Sequence, residues 1–486
     1  MIATVAVVSL WLVALAGLGL GAEPADRPNV VFIMADDLGW TDLACYGSGF
    51  YETPNIDRLA AAGLRLSSHH HCQNCTPTRA ALMTGQYAPR TGVYTVGGID
   101  RFDWTRQPLV PVANVTNLPL DREIVAAALK RAGYATGMFG KWHLGEQGDF
   151  HPGRRGFDEA VTTQGKHVGF ETNPPVPHAA DAYLADFLTD RAVDFIHRHA
   201  AEPFFLYLPH FGVHAPLEAK PELVKRFAGR PPAGGHRDAT YAAMIASVDE
   251  SVGRVIRTLD DHGLGDRTVV IFTSDNGGVG GYAREGLINR RGDVTDNAPL
   301  RSGKGSLYEG GTRVPFIVRW PGVVPAGTAC AEPTIHVDLY PTLLEITGAA
   351  APRHVLDGES LVTLFRDPEA HLDRTAIYQH FPGYLGAGKG NWRTTPVSVI
   401  QSGRWKLLEF LEDGRLELYD LEADVGESRN LAADEPARAG DLHARLVAWR
   451  NDVGAKLPRR NDGPRPAADG PQSRAARRGV TPGSSL

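Results

Sequence analysis

Two adjacent pairs of side chains, Asp36-Asp37 and Asp275-Asn276, offer only carboxylate and amide oxygens. Such a donor set suits a hard cation, Ca²⁺ ahead of Mg²⁺, better than Zn²⁺. One pair alone would read as a loop or helix cap. Two pairs, each following an apolar run, read as one ion site. Cys75, in Asn74-Cys75-Thr76-Pro77-Thr78-Arg79, lies just before a predicted helix N-terminus. Backbone N–H groups and the helix dipole favour an anion there. A nucleophile at that point meets a negatively charged substrate without added repulsion. The Cys72-x-x-Cys75 spacing also allows a redox pair or half a zinc site. Cys45 and Cys330 stand alone, however, and no second Cys-x-x-Cys follows. Nine of the 50 basic residues are lysines, and two of those nine, Lys141 and Lys304, sit in the Gly-Lys contexts GKWHLG and GKGSLYEGGTRVP.

These groups need a scaffold that gathers them. NVVFIM (29–34) is a continuous apolar run that predicts a buried strand. Thr53-Pro54 predicts a helix with Thr as N-cap and Pro at its first position, closed by Gly63. Residues 64–71 predict a short strand. Thr76-Pro77 predicts a helix ended by Gly85, and 121–132 an amphipathic helix stopped by Gly133. Further strands are predicted at 134–139, 203–208 and 268–273, with a long helix within 240–261. Strands alternating with helices predict an α/β fold with a large, mostly parallel central sheet. In such sheets ligands bind beyond the carboxyl ends of the strands. Four predicted strands run there into Asp36-Asp37, Lys141-Trp142-His143, His210 with His214, and Asp275-Asn276. One shared site is the expectation.

Beyond residue 350 the texture changes. Short strand-like pieces around Glu412-Asp413-Gly414, then a helix at 435–453, predict a smaller antiparallel subdomain. The expected division is a signal peptide at 1–22, a catalytic domain at 23–349, a C-terminal subdomain at 350–457 and a disordered tail at 458–486. The first 22 residues carry no charge and end in small residues, which predicts export, secreted or periplasmic, with cleavage near Ala22. An uncleaved anchor is the alternative, and no later segment is long and apolar enough to span. The 486 residues are 43% apolar and 22% charged. That excludes a chain disordered throughout, a collagen-like chain and a polytopic membrane protein. A net charge of −6 gives no sign of nucleic-acid binding. Asn114-Val115-Thr116 fits a glycosylation acceptor. His69, His70 and His71 cannot easily share one metal, because alternate strand residues face opposite ways. Cys45, Cys72 and Cys330 read as buried thiols, and His210 as a structural histidine.

Cys75-Thr-Pro-Thr-Arg79, continued by AALMTG, resembles the signature of the type I sulfatases of the alkaline-phosphatase superfamily, with Thr78 where Ser is usual. The resemblance extends in order through ADD near residue 36, TPNIDRLA, GKWHLG, His-Ala-Pro at 214, SDNGG, GKGSLYEGGTRVP and ELYDLEADVGESRNLA, roughly residues 29–435. It implies a sulfuric ester hydrolase in which a maturation enzyme oxidises Cys75 to formylglycine. It implies that Asp36, Asp37, Asp275 and Asn276 hold Ca²⁺ beside the modified Cys75. Lys141 and Lys304 would clamp the sulfate, Arg79 would orient the formylglycine diol, His214 would protonate the leaving alcohol and His143 would act as base. His380, in YQHFPGY, is the candidate for choosing the substrate, a sulfated small molecule or glycan. Two other readings stay open: a phosphonate monoester or phosphodiester hydrolase with the same nucleophile, and a non-catalytic binding protein on this scaffold.

Overall fold

The structure, a computed structural model, describes residues 27–287, 293–388 and 391–463. A nine-stranded sheet runs through it. Its strands are Asn29–Ala35 (β1), Leu64–His70 (β2), Ala135–Gly140 (β3), Glu159–Thr162 (β4), Phe204–Pro209 (β5), Thr268–Ser274 (β6), Arg313–Arg319 (β7), Thr328–Cys330 (β8) and Thr334–Ile335 (β9). The order is β4-β3-β5-β1-β6-β7-β2, with β8 and β9 both pairing with the free edge of β2. Every pairing is parallel except the two made by β7.

Helices cover both faces, so β1 and β6 are buried along their whole length. That explains their unbroken apolar sequence. Alternate residues of β1 serve opposite layers. Val31 and Ile33 pack with the helices Leu184–His199 and Ala239–Asp261. Val30, Phe32 and Met34 pack with Cys75–Thr84, Val125–Arg131 and Leu339–Thr347. The smaller subdomain is an antiparallel sheet of Ile377–Phe381 (β10), Val397–Ser402 (β11), Trp405–Phe410 (β12) and Arg415–Asp420 (β13), backed by the helix Pro436–Asp452.

Several local expectations are corrected. The helix expected over 121–132 spans only Val125–Arg131. Arg155 takes the carbonyls of Leu118, Pro119 and Arg122, which ties the preceding turn to the body of the protein. Thr53 does not cap its helix; its hydroxyl accepts from Ala44 N–H and donates to Asp57. The helix expected from Thr76 starts at Cys75, with Asn74 in the cap position. Past Pro458, where a disordered tail was expected to begin, Arg459–Arg460 pair with Leu109–Val110. An unforeseen hairpin joins Leu385–Gly388 to Asn391–Thr394. The expected signal peptide and most of the expected tail lie outside the described residues. Among the described residues, no helix is long and apolar enough to cross a membrane.

Candidate active site

The site lies at the carboxyl ends of β3, β5, β1 and β6, which are neighbours in the sheet. Ala35 pairs with Ser274 in parallel register. The next residues, Asp36 and Asp275, therefore leave the sheet side by side. β3 delivers Lys141 in the same direction. Gly140 before it has φ 135°, and a Cβ there would lie 1.9 Å from the Pro209 carbonyl oxygen. Only glycine permits that approach, and Lys141 N–H donates to the same carbonyl at 2.8 Å. Cys75 enters from the β2 side at the first residue of its helix. Lys304 enters from the loop before β7.

Arg79 stitches the cluster together. It is 1% exposed. Its Nη2 donates to Asp36 Oδ2 at 3.0 Å and to Asp275 Oδ2 at 2.8 Å, and its Nη1 donates to the Lys141 carbonyl at 2.6 Å. Its described hydrogen bonds thus go to the Asp36 and Asp275 carboxylates and to the Lys141 carbonyl. Lys141 Nζ lies 2.5 Å from Asp36 Oδ2. Lys304 Nζ lies 2.7 Å from the Asp37 carboxylate. Asn276 Nδ2 donates to Asp37 Oδ1 at 2.9 Å, and Asp37 N–H to Asp275 Oδ1 at 3.2 Å. Ligand atoms of Asp36, Asp37, Cys75 and His214 lie within 4.8 Å of one another.

Two oxygens in this cluster have no hydrogen-bond donor although both are buried: Asp36 Oδ1 and Asn276 Oδ1. Buried acceptors are rarely left bare. Two hard oxygen donors left open in a carboxylate cluster fit a Ca²⁺-type ion. Backbone strain concentrates here too, since Asp37 and His143 have φ of 64° and 62°, a region costly for residues with a Cβ.

Burial pushes the Cys75 thiol up to about 11, although the charges of Lys141 and Lys304 pull it down. Burial and then the neighbouring cations, Lys141 and Arg79 first, hold His143 well below the usual histidine range. Burial, with Lys304 and Lys141, does the same to His214. His143 Nδ1 lies 3.3 Å from Thr76 Oγ1, one residue from Cys75. His214 Nε2 lies 3.7 Å from Asp37 Oδ2. The Thr78 hydroxyl accepts from Cys72 N–H at 3.0 Å, a role a serine hydroxyl could equally fill.

His380 is placed elsewhere. Its Nδ1 meets Ser398 Oγ at 2.8 Å and its Nε2 meets the Lys456 carbonyl at 3.0 Å. Both ring nitrogens are thus engaged inside the protein, and the ring lies 6.0 Å from that of Tyr94. His210 is likewise internal, with Nε2 at 2.9 Å from Ser251 Oγ. All three residues of the 69–71 run are buried: His69 and His71 meet through their Nε2 atoms at 2.9 Å, and His70 pairs with Glu309. His71 also meets the backbone of Ser274 and Asp275 at the edge of the site. The Cys72 thiol packs 3.4 Å from His336, and the four cysteines are unpaired. Cys72 and Cys330 are buried and Cys45 is half-buried.

Sequence reading missed a second charged centre. Lys406 Nζ on β12 lies 2.7 Å from Glu309 and 2.9 Å from Glu427, and Arg313 and His70 complete the cluster. It fastens the C-terminal sheet to the segment carrying Lys304. Glu309 and Arg313 are four residues apart, but His70, Lys406 and Glu427 come from distant parts of the chain, so no local spacing signals the whole cluster.

The sulfatase family model matches residues 28–349, and the model for the N-sulphoglucosamine sulphohydrolase C-terminal region matches 303–452. The chain is 34% identical to a sulfatase of Formosa agariphila, over 87% of this chain and 88% of that one. It is 35% identical to N-acetylgalactosamine-6-sulfatase of Canis lupus familiaris, over 74% and 70%. Its fold is similar to the crystal structure of Ps i-CgsB in complex with k-i-k-neocarrahexaose, with a TM-score of 0.73 and 30% identity over 88% and 93% of the two chains. The chain belongs to the sulfatase family. It is a sulfuric ester hydrolase.

Proposed function

We propose that this protein hydrolyses sulfate esters of a saccharide through formylglycine made from Cys75, with Ca²⁺ held by Asp36, Asp37, Asp275 and Asn276. The observation that carries the reading is the cluster itself: two lysines, two histidines and four oxygen donors converge on one buried cysteine. A thiol held near 11 is a weak nucleophile at neutral pH, which favours chemistry by an oxidised form of the residue. The formylglycine hydrate supplies one hydroxyl to attack sulfur and a second whose deprotonation expels sulfate, so no stable ester is left on the enzyme. Ca²⁺ would polarise sulfate oxygens beside that group.

The chain's own residues divide the remaining work. Lys141 and Lys304 hold the non-bridging sulfate oxygens as point charges. Arg79 keeps Asp36 and Asp275 together despite their mutual repulsion. Burial, and after it the charges of the neighbouring cations, lowers the proton affinity of both imidazoles in the resting site. A neutral His143 is ready to accept a proton. Once the substrate anion offsets the lysine charges, His214 takes up a proton from solvent and then gives it to the leaving alkoxide. Export through the N-terminal segment and action of a formylglycine-generating maturation enzyme belong to the same reading.

A saccharide is favoured because the dog relative is named for N-acetylgalactosamine and the similar structure holds a carrahexaose. The test is sulfate release by the matured chain from 4-nitrophenyl sulfate and from sulfated saccharides, with phenyl phosphonate esters alongside. Faster turnover of the phosphonate would replace this reading with that of a phosphonate hydrolase. No turnover of any ester by a chain carrying formylglycine would favour a binding protein.

A further inference from the structure

A cleft adjoins the nucleophile loop and has walls of two kinds. Gln73 Nε2 donates to the Tyr94 carbonyl at 2.9 Å, and Asn74 Nδ2 to Thr95 Oγ1 at 3.0 Å, so the loop following Tyr94 starts beside Cys75. Tyr94, Arg101, Phe102, Trp104, Asn114 and Tyr384 line the cleft. Asn114 fixes its shape: Oδ1 accepts from the N–H groups of Tyr94 and Thr95, and Nδ2 donates to the carbonyls of Thr95 and Gly97. The amide that could serve as a glycosylation acceptor is committed to this loop instead.

The unforeseen hairpin closes over the same place. Trp392 lies 6.2 Å from Phe102 and 5.1 Å from Tyr384 between ring centroids. The next residue, Arg393, packs against Gly305, where a Cβ would lie 3.0 Å from its Cδ. Gly305 directly follows Lys304. The Arg393 guanidinium lies 4.5 Å from the Tyr282 ring centre, and its buried Nε has no hydrogen-bond partner. Arg101 is exposed and makes one long hydrogen bond, 3.3 Å, to the Val96 carbonyl. Nearby Arg284 and Arg301 pair with Asp296 and Glu285. Among the described residues, Arg101 and Arg393 have no such carboxylate. Desolvation lowers the Arg101 pKa; Cys75 draws it up and the like charge of Arg393 presses it down. Arg101 thus lines the cleft, and Arg393 stands between it and Lys304, next to the Trp392 that packs on the cleft's Phe102 wall.

We propose that Arg101 and Arg393 form a second anion subsite, which takes a further sulfate or carboxylate of a multiply charged saccharide. This rests on the sulfatase reading and places the scissile sulfate at Lys141 and Lys304. The guanidinium forks suit sulfate and carboxylate alike, while the partly exposed Phe102 and Trp104 offer faces for a sugar ring.

The test is calorimetric binding to the full-length Cys75→Ala chain in Ca²⁺, which cannot turn over. The probes are N-acetylgalactosamine 6-sulfate, N-acetylgalactosamine 4,6-disulfate and a 6-sulfated chondroitin disaccharide, which adds a carboxylate. At least one doubly charged probe should bind about tenfold more tightly than the monosulfate, the scale of one charge-assisted hydrogen bond. Which one does so tells a sulfate subsite from a carboxylate subsite. In Arg101→Gln/Arg393→Gln that advantage should shrink to less than about threefold with the unfolding midpoint unchanged. An advantage that persists in the double variant, or none in the parent, overturns the subsite. Failure of all three probes to bind overturns it together with the saccharide reading. Hydrolysis of 4-nitrophenyl sulfate by the matured parent, measured in parallel, judges the sulfatase mechanism separately.

Discussion

Asp36 and Asp275 accept hydrogen bonds from the same nitrogen, Arg79 Nη2, at 3.0 and 2.8 Å. Both carboxylates are fully buried. Two like charges brought this close on adjacent strand ends need a cation between them, and Arg79 supplies one before any metal arrives.

Replacing Arg79 by Met should therefore cost stability as well as rate. Removing one partner of a buried ion pair typically costs about 3–5 kcal/mol. Arg79→Lys keeps the charge but cannot donate to both carboxylates and the Lys141 carbonyl at once. Urea unfolding of the three chains should rank wild type above Lys and Lys above Met. A Met variant as stable as the parent would show that the carboxylates are neutral in the folded protein.

Ca²⁺ should stabilise the chain through the open Asp36 and Asn276 oxygens. A ligand at 100 times its Kd adds about 2.7 kcal/mol. Thermal unfolding with and without Ca²⁺ reads this directly, and Asp275→Asn should abolish most of the shift. An equal shift in that variant would place the ion elsewhere. A larger shift with Zn²⁺ would contradict the oxygen-donor argument.

The buried histidines predict acid lability. Burial pushes His210 and His380 down to about 4 and His336 down to about 3, whereas unfolded histidine titrates near 6.5. Above pH 6.5 neither state binds these protons, and stability is unaffected. Below it the unfolded chain takes protons that the folded chain refuses. Stability is then lost until the pH reaches the folded values. At pH 5 each histidine costs about 2 kcal/mol. His380→Gln should flatten the decline between pH 6.5 and 4.5 in a denaturation series. An unchanged slope would mean that His380 opens to solvent before the chain unfolds.

Lys406 predicts coupling between the C-terminal sheet and the site. Lys406→Met leaves Glu309 buried beside Glu427 without the cation between them, at a cost of about 3–5 kcal/mol. Since Glu309 follows Lys304 by five residues, kcat should fall as well. Restored activity in Lys406→Arg with a partial recovery of stability would support charge as the cause. Full activity in the Met variant would separate the two regions.

The parts visible in the sequence were the local ones. Unbroken apolar runs marked β1 and β6, and the polar residues just after them marked the strand ends. The parallel register that sets Asp36 beside Asp275 followed from the fold class. Helix boundaries were less legible because tertiary bonds decide them. Arg155, more than 30 residues from the turn it holds, shortens the helix expected from 121. The partners of His380, Ser398 and Lys456, are distant in the chain, so its burial was not legible from its own neighbours. The Lys406 cluster left no local signal for the same reason, its partners His70, Glu309 and Glu427 being distant in the chain.

The central claim is that Cys75 is converted to formylglycine, and a mass spectrum of the peptide spanning Cys75 tests it most directly. The protein should be exported from a host whose maturation enzyme converts another sulfatase in parallel. The peptide should have lost H₂S and gained O at Cys75. An intact thiol in that host would contradict it.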